Sequence, residues 1–391
     1  MPVRHETKLD ETHIDLYAWL ESQPHPQKHI WSQPNHFLSV SVGISEELIG
    51  HTPEDHQKIL KEIAEKTAGQ GSRFRYYGGT AFSPNSVDYG FPYCRYILPE
   101  QELLYENGTY YLINYTPSMQ TAPPPQPSKQ EISAITPNFE TWEKLIHSIK
   151  SDTELKKVVL ARKVSQAFGG SLQNFLKKNQ TGFGFLFQRD PHTTFLGISP
   201  ETLFSKTGQT ITTDAIAGTR KRGQTPEEDQ QLAQELLSSK KDLEELNYVK
   251  THIQEHLAPL CESLTIPDTP QILKLPHVQH LHYAITGTLK KTTTDHDLFA
   301  ALHPTPAVCG TPTNLAKEFI ETLEPFKRGW YSGTVGWISD HQSQFVVGIR
   351  SAHFQDQTLH IFSGAGIVQA SDSQSEWEEL DNKIRQWELI K

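Results

Sequence analysis

Apolar and polar positions divide the chain into strand-like and helix-like stretches. Near the start, HFLSVSVGI (36–44), FRYYGGTAF (74–82) and TYYLINY (109–115) read as strands, rich in β-branched and aromatic residues. A helix-like segment near Phe139–Ser151 leads into KKVVLARKVSQAF (156–168), whose β-branched centre predicts another strand. TTFLGIS (193–199) and ETLFSKTGQTITTDAIAG (201–218) follow, with Thr207-Gly208 as the turn of a hairpin. Thr225-Pro226-Glu227-Glu228 places a hydroxyl at an N-cap, proline at the first helical position and glutamate at the third. That pattern predicts a long helix running to about Cys261. Thr311–Leu323 is a second helix. SGTVGWISD (332–340), QFVVGIRSAHF (344–354) and TLHIFSGAGIV (358–368) predict a three-stranded antiparallel meander. The last segment, Ser373–Ile390, predicts a helix opened by the capping box Ser373-Gln374-Ser375-Glu376.

Strands in runs followed by helices argue for an α+β fold with large antiparallel sheets, not a doubly wound parallel one. No short-period repeat interrupts the pattern. Residues 121–137, TAPPPQPSKQEISAITP, carry four prolines in their first seven positions and read as an irregular, extended segment. It separates residues 1–120, which show no chemically legible cluster and read as scaffold, from residues 138–391, where the candidate chemistry lies.

Composition narrows the class without naming it. The 391 residues are 36% hydrophobic, 21% charged and 10% aromatic, as in globular proteins, and suffice for a substantial core. A formal charge of −10 disfavours nucleic acid as a partner, while a small anion can still bind through a few positioned cations. Cys94, Cys261 and Cys309 stand far apart with no CxxC, which implies neither a disulfide framework nor a thiolate metal site. The N-terminus lacks an apolar signal core, and no stretch approaches the roughly 18 apolar residues of a membrane span. A cytoplasmic protein without a membrane partner is expected.

The acids offer the first chemistry. Glu376, Glu379 and Lys383 share one face of the final helix, and Asp242 and Glu245 stand three apart on the long one. Acidic residues at helical spacing are usually a solvated face, and either helix alone reads that way. If the two acidic faces met, they would make an oxygen site suited to Mg²⁺. The nearby Ser363-Gly364-Ala365-Gly366-Ile367-Val368 reads as a strand exit running into a helix N-terminus, where backbone N–H groups can hold an anion.

Nine motifs in order resemble the chorismate-binding enzymes, the family that includes isochorismate, salicylate, anthranilate and aminodeoxychorismate synthases. They are KVVLAR (157–162), GISPETLF (197–204), AIAGTRKRG (215–223), KDLEEL (241–246), VQHL (278–281), HPTPAVCGTP (303–312), YSGTVGW (331–337), VVGIRSA (346–352) and SGAGIVQASDSQSEWEELDNK (363–383). The resemblance covers roughly Lys156 to Ile390. It implies a single large α+β domain with two big antiparallel sheets flanked by helices, the first 120 residues included, and a cleft between the layers.

By the same resemblance, Glu245 and Glu379 bind Mg²⁺, with Glu376 and Asp242 as water-mediated ligands. Aspartate at 242 stands where relatives often carry glutamate. The metal would hold the ring carboxylate of chorismate, with Lys383 and the backbone of Gly218-Thr219 beside it. Arg350, Tyr331, Gly364 and Gly366 match positions that hold the enolpyruvyl carboxylate, and a planar guanidinium suits that role. His280 matches a histidine beside the substrate ring. A lone histidine or tyrosine in a strand is otherwise more often a core residue.

Lys157 matches the general base of water-using members and Glu201 the general acid. Out of this context the two are a strand-edge lysine and a turn carboxylate. A closed cleft lowers the lysine and raises the glutamate, as such roles require. Lys157 argues against anthranilate formation, and HPTPAV (303–308) resembles the isochorismate-forming members. No amidotransferase subunit is then expected. Cys309 departs from the small residue usual in relatives and is expected to be harmless packing. The runner-up is a salicylate synthase, which uses the same acid and base. Less favoured are an aminodeoxychorismate or anthranilate synthase component and a non-catalytic chorismate-binding protein.

Overall fold

Of the two helix caps foreseen in the sequence, Thr225 starts its helix and Ser373 does not. The computed structural model describes residues 3–10, 13–34, 36–115, 134–178, 181–275, 278–385 and 387. Asn138 caps Phe139–Ser151, its side chain accepting from the Thr141 N–H at 3.0 Å, and the helix buries Trp142, Leu145, Ile146 and Ile149 along one stripe.

Thr225 caps the next helix as predicted, accepting from the Glu228 N–H at 3.2 Å. The expected single helix to Cys261 is instead two helices, Pro226–Ser238 and Lys240–Leu257. Ser239 is the break, because it is extended and its hydroxyl caps the second helix at the Asp242 N–H. The helix expected from Thr311 begins at Thr313, since Pro312 cannot continue a helix backwards and Gly310–Thr311 is a short strand. The predicted Ser373 capping box is also corrected. Asp372 is the cap, accepting from the N–H and hydroxyl of Ser375 at 2.9 Å, and the described helix runs Ser373–Ile384.

All pairings between described strands are antiparallel, in two sheets. The first runs edge to edge as Arg4–Leu9, Thr109–Tyr115, Gln101–Glu106, Phe37–Val42, Lys28–Gln33, Phe183–Asp190, Thr193–Ser199, Ser351–Gln355, Thr358–Ile367, Lys157–Ala167 and Gly310–Thr311. Ala134–Thr136 also pairs with Lys157–Ala167, so the end of the stretch expected to be irregular is a strand; residues 121–133 lie outside the described set. The second sheet runs Cys261–Thr265, Val278–Leu289, Thr210–Lys221, Thr202–Thr207, Gln342–Val347, Thr334–Ile338, Tyr76–Thr80, Cys94–Leu98 and Glu46–Gly50, with Gln271–Lys274 beside Val278–Leu289. The first 115 residues thus give five strands to one sheet and three to the other.

The expected hairpin forms, but its two-residue turn is Gly208-Gln209, with Gly208 at φ 58° and Thr207 paired to Thr210 at the strand end. The three-stranded meander does not. Thr334–Ile338 and Gln342–Val347 are a hairpin of the second sheet, whereas Ser351–Gln355 and Thr358–Ile367 are a hairpin of the first. The chain crosses from sheet to sheet through Gly348-Ile349-Arg350. Ser363–Ile367 is the C-terminal half of Thr358–Ile367, paired with Val158–Arg162, and it does not run directly into a helix, which begins only at Ser373.

One apolar core draws on both sheets, with Trp31, Phe187 and Phe195 from the first and Phe204, Ile285 and Phe345 from the second. Burying a side chain of this size contributes about 1.5–3 kcal/mol. The Glu102 carboxylate, itself buried, ties the layers by accepting from Tyr77 at 2.6 Å and Ser39 at 2.7 Å. Helices Phe139–Ser151, Thr313–Leu323 and Ser373–Ile384 cover Val158, Leu160, Ala365 and Ile367 on the other face of the first sheet.

Candidate active site

The chain passes between the sheets at two adjacent places, and each crossing presents a candidate residue. Glu201 lies between Thr193–Ser199 of one sheet and Thr202–Thr207 of the other; Arg350 lies on the crossing after Val347. The crossings are stitched together, the Val347 N–H donating to the Glu201 carbonyl at 3.1 Å and the Ile198 N–H to the Arg350 carbonyl at 3.2 Å. Arg350 holds φ 51°, a left-handed conformation that an arginine keeps only where its surroundings enforce it.

Around these crossings thirteen of the fourteen expected site residues line one cavity. Lys157 opens its strand there, nearly fully buried, with its side chain reaching past Gly366 of Thr358–Ile367. A Cβ on Gly366 would stand 2.9 Å from Lys157 Cε and 3.1 Å from Glu245 Oε1, and one on Gly364 would stand 2.7 Å from the Tyr331 hydroxyl. The two glycines therefore leave room for the working ends of three other side chains.

A bulge in Thr210–Lys221 places Gly218 at φ 66°, where a Cβ would meet the Asp242 side chain at 2.9 Å. The Gly218 carbonyl accepts from His280 Nδ1 at 3.1 Å, with the Thr219 hydroxyl at the same distance. His280 Nε2 is buried and without a partner among the described residues. Burial, with the charges of Arg350 and Lys383, lowers this imidazole to about 4, so the ring is neutral at pH 7.

Glu201 is pushed up to about 8, chiefly by burial and further by the charge of Asp214, against the opposing pull of Lys157 and Thr305. It is therefore a protonated carboxyl at neutral pH. Tyr331 is likewise raised by burial, and stacks on Phe362 with ring centroids 4.9 Å apart.

The acids separate into distinct roles. Glu245 and Glu379 reach the cavity from facing helices. Burial raises Glu245, as do the charges of Glu379 and Glu376, against Lys157 and Lys241. Burial also works to raise Glu379, but Lys383, Lys241 and Arg350 outweigh it and hold that carboxyl low. Lys383 bonds Glu379 at 2.6 Å and the Gly364 carbonyl at 2.8 Å. Asp242 lines the cavity but pairs with Arg220 at 2.8 Å. Glu376 is the expected site residue outside the cavity wall: it is buried behind Lys241, which bonds it at 2.6 Å. Among the described residues no three acids, imidazoles or thiols converge on a closed metal site. Two carboxylates pressed together by burial do fit a hard divalent cation that completes its shell with water and ligand oxygens.

Sequence reasoning missed the supports. Arg220 and Lys241 stood inside recognised motifs, but the acids they pair with, Asp242 and Glu376, lie 22 and 135 residues away, so no local spacing signalled either pair. Arg328 gave no signal. It is fully buried, pairs with Glu324, and donates to the carbonyls of Val159 at 2.7 Å and Val308 at 2.8 Å. Glu324 in turn accepts from the Ala161 N–H at 2.8 Å. This buried pair fastens the strand bearing Lys157 to the loop that supplies Ala307 and Val308 to the cavity.

The chain is 38% identical over 249 residues to isochorismate synthase DhbC of Bacillus subtilis, a match covering 60% of this chain and 63% of that one. It is 30% identical over 411 residues to isochorismate synthase MenF of Haemophilus influenzae, covering 97% of this chain and 90% of the relative. The solved structure of MenF, the menaquinone-specific isochorismate synthase from Escherichia coli, superposes with a TM-score of 0.84 at 27% identity, covering 100% of this chain and 95% of that one. A family model described as "Chorismate binding enzyme" matches residues 113–388, a span that holds every residue of the cavity. The family-model match, the relative aligned over nearly the whole chain and the shared fold together show that the chain belongs to the chorismate-binding enzyme family.

Proposed function

We propose that the protein is an isochorismate synthase, which adds water at C2 of chorismate, shifts the ring double bonds and expels the C4 hydroxyl. The observation that carries this reading is that Lys157 and Glu201, both buried, line the same cavity, where burial pushes the Glu201 carboxyl up. Lys157 takes a proton from the attacking water, and Glu201 gives its proton to the departing hydroxyl, so that water is regenerated and the ring is isomerised without redox change. The relatives named isochorismate synthases support this product over salicylate.

Arg350 and Tyr331 hold the enolpyruvyl carboxylate, and Gly364 leaves the space beside them. His280 Nε2 accepts from a ring hydroxyl, and the Gly218-Thr219 backbone borders the ring. Mg²⁺ is proposed at Glu245 and Glu379, with Asp242 and Glu376 behind; when bound it would neutralise the ring carboxylate. Lys383 holds Glu379 in place. Water, not ammonia, is the nucleophile, so no amidotransferase partner is proposed. No described helix is long and apolar enough to cross a membrane, and a cytoplasmic enzyme is proposed.

The test is incubation of purified protein with chorismate and Mg²⁺ and chromatographic identification of the product. Isochorismate as the main product supports the reading. Salicylate plus pyruvate would transfer the assignment to salicylate synthase, and unchanged chorismate would leave a binding protein.

A further inference from the structure

Three of the four acids near the cavity are held by a side-chain cation, but the three pairs are not alike. Arg220 bonds Asp242 and also donates to the Thr219 carbonyl at 2.8 Å. Lys383 bonds Glu379 and also donates to the Gly364 carbonyl at 2.8 Å. Each is therefore anchored to a strand whether or not its acid is needed elsewhere. Lys241 has Glu376 as its one hydrogen-bond partner among the described residues, at 2.6 Å. Its side chain is 38% exposed against 2% for Glu376, and it lines the cavity together with Glu245 and Glu379. Being the least anchored of the three, it is also the cation that a newcomer of like charge would most readily displace.

We propose that Lys241 is an internal counter-cation of the divalent-metal site: it balances the acid cluster in the ion-free protein, opposes the incoming ion, and so sets a weak, adjustable affinity for it. The inference rests on the reading that Glu245 and Glu379 hold the metal. Four acids packed at the ends of two helices would repel one another if left bare, and Lys241 supplies the charge that lets the cleft form before any ion arrives. That service has a cost when the ion comes, because a unit charge and a divalent one then share the same neighbourhood. Glu376, sealed behind Lys241, is in this view the resting place of the lysine.

The experiment is calorimetric titration of Mg²⁺ into the full-length protein without substrate, with Lys241→Met, Lys241→Arg, Glu245→Gln and Glu379→Gln variants. Lys241→Met is expected to bind Mg²⁺ at least about fivefold more tightly than wild type, the effect of removing one opposing charge across a layer of side chains with near-aqueous screening. Lys241→Arg, which keeps the charge, should stay near wild type. Thermal denaturation gives a second reading: Lys241→Met should melt below wild type without ion and gain more from saturating Mg²⁺. If Lys241→Met binds the ion equally or more weakly while Glu245→Gln and Glu379→Gln abolish binding, the counter-cation role fails and the metal site stands. If the two glutamine variants titrate like wild type, or if wild type takes up no Mg²⁺, the metal site itself fails and this inference with it.

Discussion

The Nδ1 of His280 stands 3.1 Å from the carbonyl oxygen of Gly218. A carbonyl only accepts, so the bond assigns the proton to Nδ1 and leaves the lone pair on Nε2. With the ring lowered to about 4, it keeps that form through the neutral range. His280→Phe removes the acceptor and should cost about tenfold to a hundredfold in kcat/KM, the worth of one hydrogen bond in a desolvated site. His280→Gln should lose less. Equal kcat/KM in wild type and His280→Phe would show that the substrate hydroxyl finds its acceptor elsewhere.

Glu201 makes a prediction with a definite sign. Its carboxyl lies at about 8 against an ordinary 4.5, so the rate should be level below pH 8 on its account and fall about tenfold per unit above it. Stability moves the same way. Between pH 4.5 and 8 the folded state keeps a proton that the unfolded chain releases, so folding is favoured below this window and progressively weakened across it. Each pH unit of that window weakens folding by about 1.4 kcal/mol. Glu201→Gln cannot ionise, and should flatten this loss in denaturation measured from pH 5 to 9 while lowering kcat by roughly 10²–10⁴. Lys157→Ala should lose a similar factor in kcat and still bind chorismate by calorimetry. A Glu201→Gln enzyme with normal turnover would end the general-acid assignment.

Arg350 reaches the cavity with no carboxylate of the described residues within salt-bridge distance, so its guanidinium is available to a ligand. Losing a charge-assisted pair in such a site costs on the order of 2–5 kcal/mol. Arg350→Ala should lower kcat/KM by about two orders of magnitude or more, and Arg350→Lys, which keeps the charge without the fork, should fall between. Steady-state kinetics decide it, and an unchanged kcat/KM would move the carboxylate contact to another residue.

Metal dependence follows from Glu245 and Glu379. EDTA should abolish turnover and Mg²⁺ should restore it, and Glu379→Gln should need far more Mg²⁺ for the same rate. Circular dichroism of that variant should match wild type. Full activity in EDTA would refute the site.

Arg328 and Glu324 should matter as a unit. Breaking a buried ion pair from one side typically costs about 3–5 kcal/mol, because the other charge is left stranded. Arg328→Met should therefore lose roughly that much in denaturant unfolding, and the Arg328→Met/Glu324→Leu double variant should recover part of it. Additive losses in the double-mutant cycle would mean the two are uncoupled.

Local signals gave the sequence reading its successes. Phe139–Ser151 carries its own stripe and cap, and the hairpin around Gly208 its own turn chemistry, so neither needed the rest of the molecule. The failures share a different cause. Nothing within Gly348-Ile349-Arg350 reveals that the strands on either side belong to different sheets, since the alternation is the same whichever partner is chosen. Ser239 divides the expected long helix because its hydroxyl caps Lys240–Leu257, a role that depends on where the chain must turn. At the site, thirteen residues were legible because the motifs name them together. Glu376 sits at the same helical spacing as Glu379, yet packing alone decides that it faces Lys241 and not the cavity. Arg328 lay beyond reach, its partners being carbonyls on distant segments.

The way the first 115 residues thread both sheets bears on how the protein can be shortened. Lys28–Gln33 zips onto Phe183–Asp190, and Tyr76–Thr80 onto Thr334–Ile338. Trimming the chain to the region that carries the chemistry would bare both of those strands along their length at once, and each is apolar. Raw strand edges of this kind recruit their own copies. A truncated version would be lost to aggregates before any question of turnover arose, and supplying the missing segment as a separate chain would be the way to bring it back into solution.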